Sequence, residues 1–308
     1  MLADVIPYLL CPVCQGDLAL AGGVVRCGQG HAYDVAKQGY VSLLTGSAAP
    51  GTADTPAMVA ARAAFLGAGH FAPLARQLRE LLHAAPVLAS AGDTERHGTM
   101  VARGTGAPEQ GGSAAGGRGP AVILDAGAGT GHYLAEVLGP ADTGIALDIS
   151  KHALKRAARA HPRIGAVVAD VWRPLPVRDA CADVLLNVFA PRNGPEFARV
   201  LRPGGTLIVV TPTPRHLSPL VGELGLLSVD EDKARRIAES LGTHFTEAGE
   251  HEVTAEMRLD HRAVETVAGM GPSAWHTDAE ALGREILRLP DPVTVQMSCR
   301  VSLFRKIA

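Results

Sequence analysis

Apolar and polar positions change their spacing along this chain, and each spacing predicts a different element. Between residues 121 and 212, short apolar runs such as VILDA, GIALD and VLLNV alternate with stretches such as KHALKRAARA, whose apolar residues recur every three or four positions. Continuous apolar runs indicate strands buried on both faces, and the second spacing indicates amphipathic helices. Strands that alternate with helices favour an α/β fold with a parallel sheet covered on both sides.

The flanking segments complete this division of the chain. TPAMVAARAAFLGAGHFAPLARQLRELL predicts two helices broken at Gly67–Gly69, and PVTVQMSCRVSLFRKI alternates as a final strand does. Residues 84–120 are rich in Gly, Ala, Ser and Pro. They have too few large apolar side chains to offset their ordering entropy, so we predict a flexible linker there. The chain then divides into segment 1–45, a helical connector 46–83, this linker, and a domain 121–308.

Segment 1–45 gathers three of the five cysteines and a histidine in the pattern Cys11-x2-Cys14 and Cys27-x3-His31. Two closely spaced pairs, separated by the hairpin LALAGG–VVRC, can place four ligands around one tetrahedral zinc ion. Soft thiolates favour zinc over magnesium or calcium. Because protein fills all four positions, this zinc would be structural. The alternative is four unrelated residues in a small satellite core.

Composition and charge limit the partners and the cellular location that we expect for the protein. The 308 residues carry a formal net charge of −2. Binding to a nucleic acid would therefore need a local basic surface, for which Lys37 and Arg62 are candidates. No apolar run reaches the ~20 residues of a membrane span, and the N-terminus does not resemble a signal peptide. We therefore expect no membrane partner and a cytoplasmic location.

A glycine-rich turn follows the first strand of the α/β region. Asp125, Gly127, Gly129 and Gly131 give the order D-x-G-x-G-x-G. Glycines at a strand-to-helix turn let a ligand approach the backbone. This signal is weak when taken alone, since nicotinamide and flavin enzymes share it.

Acidic residues end the next two predicted strands. Asp148 lies where a carboxylate can accept hydrogen bonds from both ribose hydroxyls, and Asp170 lies where an acid can face an adenine amino group. The alternatives are a helix N-cap for Asp148 and a turn former for Asp170. With the LRPGG turn before the fifth strand, this set resembles the class I (Rossmann-like) S-adenosylmethionine-dependent methyltransferase fold.

Over nearly its whole length the chain resembles the bacterial 23S ribosomal RNA guanine-N1 methyltransferases. The resemblance is carried by CPVC, GHAYDVAKQGYVSLL, DTPAMVAARAAFLGAGHFAPL, ILDAGAGTGHYL, ALDISKHALKRAARAHP, LRPGGTLIVVTPTPRHL and MGPSAWH. NVFAPRN and the MGPSAWH text look closest to the actinobacterial branch tied to macrolide (tylosin-type) self-resistance. The stretch 84–120 is longer than the family leads us to expect.

The resemblance implies methyl transfer from S-adenosylmethionine to N1 of a guanine in a 23S rRNA hairpin near the peptide exit tunnel, and it leaves macrolide resistance open. It is compatible with a homodimer. It implies that the methyl donor lies against Gly129 and Thr130, with Phe71 and His216 closing the pocket. It also implies zinc on four ligands: Cys11, Cys14, Cys27 and His31.

The target base and the alternatives complete the sequence-based hypotheses. We expect Asn187 or the backbone of NVFAPR to read the guanine edge without a strong general base, with His216 as the base in the opposing case. One alternative is a small-molecule methyltransferase whose zinc module serves only dimerisation. Another is a zinc-anchored RNA-binding protein with an inactive methyltransferase domain.

Overall fold

The computed structural model describes residues 1–46, 53–83, 120–227, 241–271 and 278–307. The predicted linker, apart from Pro120, lies outside these described residues, as does most of the MGPSAWH motif.

Two sheets are present in the described chain. The small one contains β1 (Leu18–Ala21), β2 (Val24–Cys27) and β3 (Ala32–Asp34), all antiparallel. The large one contains β4 (Tyr40–Ser42), β5 (Val122–Ala126), β6 (Thr143–Asp148), β7 (Ile164–Val168), β8 (Ala182–Val188), β9 (Leu201–Pro212), β10 (Phe245–Leu259) and β11 (Val293–Lys306). Its order is β10-β11-β9-β8-β5-β6-β7-β4. The neighbours from β4 to β9 are parallel, whereas β10 and β11 are antiparallel additions.

Helices cover both faces of the large sheet. They are α1 (Leu2–Val5), α2 (Pro56–Gly67), α3 (Ala72–His83), α4 (His132–Val137), α5 (Lys151–Ala160), α6 (Gly194–Val200), α7 (Leu220–Glu223), α8 (His261–Gly269) and α9 (Ala279–Ile286). The break between α2 and α3 falls where Gly67–Gly69 predicts it. None of these helices alone is long and apolar enough to cross a membrane, and only α2 with α3, bent by 77°, would qualify as a pair.

The parallel strands follow the sequence pattern closely because each is buried on both faces. Every residue of β5 and β7 is buried. The strand β10 was not predicted, although β11 was. In β10 most positions are exposed or half-buried, so the apolar residues are too sparse to indicate a strand, and its pairing with β11 depends on residues far away in the sequence.

Local capping fixes where α5 begins. Ser150 is its N-cap, with a side-chain oxygen that accepts a hydrogen bond from the Ala153 N–H. The alternative that makes Asp148 the N-cap of this helix is therefore wrong. This leaves the Asp148 carboxylate available for the glycine turn.

The N-terminal segment packs directly on the large sheet. Val5 of α1 is fully buried and shares one apolar core with Leu124, Ile145 and Val167 of the central strands. The strand β4 extends the large sheet by pairing with β7. Because its apolar residues enter the same core, this segment is held against the α/β sheet by packing.

This packing predicts the effect of one added methyl group. A Cβ at Gly165 in β7 would lie 2.2 Å from a methyl carbon of Val5, and overpacking of this kind costs about 1–3 kcal/mol. We expect Gly165→Ala to lower the free energy of unfolding by that amount in urea denaturation. The control is Gly222→Ala in α7, where a Cβ meets nothing within 4 Å. A Gly165→Ala protein as stable as the wild type would contradict the described packing.

Candidate functional site

The four predicted zinc ligands lie together at one end of the small sheet. Their ligand atoms are all within 4.8 Å of one another. The Sγ atoms of Cys11 and Cys27 are 3.5 and 3.3 Å from His31 Nδ1, and those of Cys14 and Cys27 are 3.6 Å apart. A tetrahedral site with Zn–S bonds of ~2.3 Å has edges of this order. The donor set and its spacing therefore fit zinc.

Turn hydrogen bonds form the two knuckles. The Gln15 N–H donates to the Cys11 carbonyl, and the Gly30 N–H donates to the Cys27 carbonyl. Gly30 has a φ of +87°, which a glycine adopts without strain. Each knuckle thereby brings both of its ligands to the same side.

The thiols are suited to bind metal rather than to form a disulfide. All five cysteines are free, and 3.6 Å is far beyond an S–S bond. Burial raises the pKa of the Cys11 thiol, but hydrogen bonds with Tyr33 and backbone amides outweigh it and bring the pKa to about 6. A thiol with a lowered pKa supplies the thiolate that zinc requires.

The glycine turn lies on the carboxyl end of the parallel sheet. The N–H groups of Gly127 and Ala128 both donate to the Leu147 carbonyl at the end of β6, at 2.8 and 2.9 Å. Gly127, Gly129 and Gly131 all have positive φ, between +53° and +88°. A Cβ at Gly127 would lie 2.3 Å from Ala190 Cβ, so the turn requires glycine there for space as well as for conformation.

The Asp148 carboxylate holds this turn in place. Its Oδ2 accepts a hydrogen bond from the Gly129 N–H, and its Oδ1 accepts one from the Ser150 N–H, both at 2.8 Å. Burial raises the pKa of Asp148, and these two backbone hydrogen bonds oppose the rise. A carboxylate has about four acceptor sites, so two backbone bonds leave capacity for ribose hydroxyls.

Asp170 forms a turn at the end of β7. Its Oδ1 accepts a hydrogen bond from the Trp172 N–H at 3.0 Å, and its Oδ2 lies 3.6 Å from Arg173 Nε. The turn-forming interpretation therefore describes what Asp170 does here. Its contact with an adenine amino group stays a prediction.

Asn187 is fully buried at the end of β8. Its Nδ2 donates to the carbonyls of Ala126 and Pro191, at 2.9 and 2.8 Å, so it joins β5 to the loop that follows β8. Only its Oδ1 lacks a hydrogen-bond partner among the described residues. Asn187 Oδ1 and the carbonyl groups of the following loop are both able to accept hydrogen bonds, so the reading of a base by either stays a prediction.

Three aromatic rings contact one another at the carboxyl end of the parallel strands, since Phe189 follows β8 and His216 follows β9. The centroids of Phe71 and His216 are 5.6 Å apart, those of Phe189 and His216 are 5.9 Å apart, and those of Phe71 and Phe189 are 6.4 Å apart. Phe71 is buried, whereas Phe189 is 40% exposed and has a φ of +53°. Positive φ at a non-glycine residue costs about 1–3 kcal/mol and is typical of functional sites. Sequence reasoning missed Phe189 because its neighbours come from distant segments.

His216 is neutral at physiological pH. Burial lowers its pKa to about 4. Its Nδ1 accepts a hydrogen bond from the Ser298 N–H at 3.2 Å, so the tautomer that satisfies this bond carries its proton on Nε2. In this form the free ring nitrogen donates and does not accept.

Two buried polar atoms lie unpartnered behind the turn. The Oδ1 of Asp125 and the hydroxyl of Tyr133 have no hydrogen-bond partner among the described residues. Burial raises the pKa of Asp125 to about 8, with the Asp148 charge adding to the rise. A cationic group of a ligand would stabilise the ionised form. A buried acid, a glycine turn and a carboxylate with free acceptor capacity at Asp148 thus fit an amino-acid nucleoside such as S-adenosylmethionine.

Arg62, the other candidate for RNA contact, is bound to other residues of the chain. Its guanidinium is ion-paired with Asp54 and donates to the Met270 carbonyl at 2.9 Å. Its side chain is 27% exposed and lies over Gly129. Lys37 is exposed, as predicted.

Comparisons with known proteins agree with this geometry. The zinc-ribbon family described as "RlmA, N-terminal" matches residues 9–46, and a "Methyltransferase domain" family matches residues 123–205. These matches confirm the predicted fold class and the expectation of zinc and S-adenosylmethionine as cofactors.

Two relatives match over the full length of the chain. A Streptomyces fradiae protein named 23S rRNA (guanine(748)-N(1))-methyltransferase is 45% identical over 100% of both chains. A Micromonospora griseorubida protein, named in the 23S rRNA (guanine-N(1)-)-methyltransferase class, is 48% identical over 99% of both. Among solved structures, the YcgJ protein of Bacillus subtilis aligns with 61% of this chain and 93% of its own at 15% identity, with a TM-score of 0.43.

The zinc cluster gives a prediction about metal content. Cys27→Ser removes one of the four ligands, so we expect the purified protein to fall from about one zinc ion per chain to a small fraction of that. Mass spectrometry of the metal and thermal unfolding measure the loss and the accompanying destabilisation. Cys181→Ser, outside the cluster, should retain the metal. Equal zinc content in both variants would contradict the assigned ligands.

Proposed function

Because this chain belongs to the family of 23S rRNA (guanine-N1-)-methyltransferases, we propose that it transfers a methyl group from S-adenosylmethionine to N1 of a guanine in 23S rRNA. The observation that carries the proposal is the carboxyl edge of the sheet. That edge carries the glycine turn anchored by Asp148 and the contacting rings of Phe71, Phe189 and His216, in a chain that also has the zinc ribbon.

Each residue of this edge has a proposed role toward the methyl donor. Asp148 accepts hydrogen bonds from the ribose hydroxyls, and Asp170 faces the adenine amino group with the acceptor capacity that its turn bonds leave. Phe71 and His216 close the pocket. The donor lies against the turn formed by three residues: Gly127, Gly129 and Thr130.

Methyl transfer depends mainly on the alignment of the reacting atoms. S-adenosylmethionine supplies a methyl group on a sulfonium whose departure needs no acid. The protein's task is then to hold the nucleophile in line with that methyl group and to exclude competing water. The backbone of Phe189 is fixed by the hydrogen bond from its N–H to the Val210 carbonyl at 3.2 Å, and we expect its exposed ring to contact the base.

The proton on guanine N1 has to be lost before, during or directly after the transfer of the methyl group. We infer that His216 does not take it, since its Nδ1 already accepts the Ser298 N–H and its Nε2 carries the proton. Carbonyl groups of the NVFAPR loop, or Asn187 Oδ1, hold the base edge instead. The guanine becomes accessible in a loop or by extrusion from its stack.

The name of the Streptomyces fradiae relative suggests guanine 748 as the target. We propose that the zinc-binding segment, with exposed Lys37, contacts the RNA, that the protein works in the cytoplasm on ribosomal RNA, and that it acts as a homodimer. The position of this target would link the modification to macrolide susceptibility. A small-molecule methyltransferase, or an RNA-binding protein without transferase activity, is the contrasting outcome of the test below.

The proposed function predicts a stop in reverse transcription. A methyl group on N1 blocks Watson–Crick pairing, so 23S rRNA from cells that express the chain should stop primer extension at one guanine near position 748. Asp148→Asn should weaken the stop, with cofactor affinity reduced about tenfold or more by loss of charged hydrogen bonds. Glu280→Gln, on the exposed surface of α9, is the matched control. An unmodified 23S rRNA beside methylated small molecules would overturn the proposal.

A pH profile tests the role of His216. Its lowered pKa of about 4 means that it stays neutral from about pH 5 upward. A rise of kcat with pH between 6 and 9 therefore should persist in His216→Gln, with a rate loss below about tenfold, because loss of a general base costs about 10²–10⁴-fold. Disappearance of that rise in the variant would identify His216 as the base.

A further inference from the structure

We propose that Arg62 binds the carboxylate of the methionine part of S-adenosylmethionine, with its guanidinium held over the glycine turn by Asp54 and the Met270 carbonyl. This inference rests on the proposed function and names a residue of that same site. It reassigns an arginine that the sequence suggested for RNA phosphates.

The position of Arg62 is the first argument. A Cβ built on Gly129 would lie 3.4 Å from Arg62 Nη1 and 3.8 Å from its Cδ. Gly129 also donates its N–H to Asp148, so the guanidinium and the carboxylate assigned to the ribose both lie beside Gly129. A ligand that contacts the backbone at Gly129 also contacts this guanidinium.

The charges around the turn are the second argument. Besides its partner Asp54, Arg62 lies close enough to Asp148 and Tyr133 for its positive charge to oppose the rise in pKa that burial causes in both groups. A ligand that carried only negative charge would be repelled by the carboxylates of Asp148 and Asp54. A zwitterion avoids this conflict, since its ammonium group suits the buried, unpartnered Asp125 Oδ1 and its carboxylate suits Arg62.

The chemistry of the side chain is the third argument. A guanidinium has five N–H donors in a fixed fork that matches a carboxylate. The Asp54 ion pair and the Met270 hydrogen bond use part of this set and orient the rest. The backbone carbonyl of Asp54 also accepts a hydrogen bond from the Ser150 hydroxyl at 2.9 Å. Asp54, and Arg62 with it, is thereby joined to the loop that follows Asp148.

The test compares two ligands that differ only in the carboxylate. Calorimetry of the zinc-loaded, full-length protein would measure the Kd of S-adenosylmethionine and of decarboxylated S-adenosylmethionine. We expect Arg62→Gln to weaken the first about ten- to a hundredfold, as for a charged bidentate contact, and to change the second less than about twofold. Arg79→Gln, which removes an exposed arginine paired with Glu136 on neighbouring helices, is the matched control and should change neither.

Each other outcome has a definite meaning. Equal weakening of both ligands would overturn the carboxylate contact in favour of a role in pocket shape, and circular dichroism with Arg62→Lys separates this from misfolding. Unchanged affinity for both, with weaker RNA binding, would overturn it in favour of a phosphate contact. A wild-type protein that binds neither ligand would overturn the proposed function itself, which is a different failure from that of Arg62.

Discussion

The carboxylate of Asp148 is the interaction on which the site depends. It accepts one backbone N–H from the glycine turn after β5 and one from the start of α5 after β6. Two neighbouring parallel strands thereby end at one fixed point, and the turn keeps the conformation that only its glycines allow. Without this link, the glycine turn would be held to β6 by the two hydrogen bonds that the Leu147 carbonyl accepts.

A second constraint joins the zinc-binding segment to the same sheet. Val5 packs against Gly165 so closely that no side chain fits there, and β4 pairs with β7. The metal orders the two knuckles and the sheet orders the segment that carries them. A surface proposed to contact RNA is therefore fixed relative to the proposed methyl-transfer edge, which suits a reaction controlled by alignment.

Sequence alone predicts the parts whose causes are local. The zinc ligands come in close pairs on turns, and the parallel strands are apolar along their whole length. Sequence alone does not predict contacts between residues that are far apart in the chain. The sparse apolar residues of β10 indicate a strand only once β11 is known to pair with it. Phe189 is recognised as a site residue only from its contacts with Phe71 and His216. Arg62 looks like a surface charge until α2 brings it over Gly129.

The most direct measurement of this arrangement is a crystal structure of the zinc-bound protein with S-adenosylhomocysteine. The ribose hydroxyls should lie within hydrogen-bond distance of Asp148, and the sulfur should lie on the side of the site that the exposed ring of Phe189 faces. A nucleoside bound away from the glycine turn, with Asp148 making only its two backbone hydrogen bonds, would contradict the assignment of this edge as the site of methyl transfer.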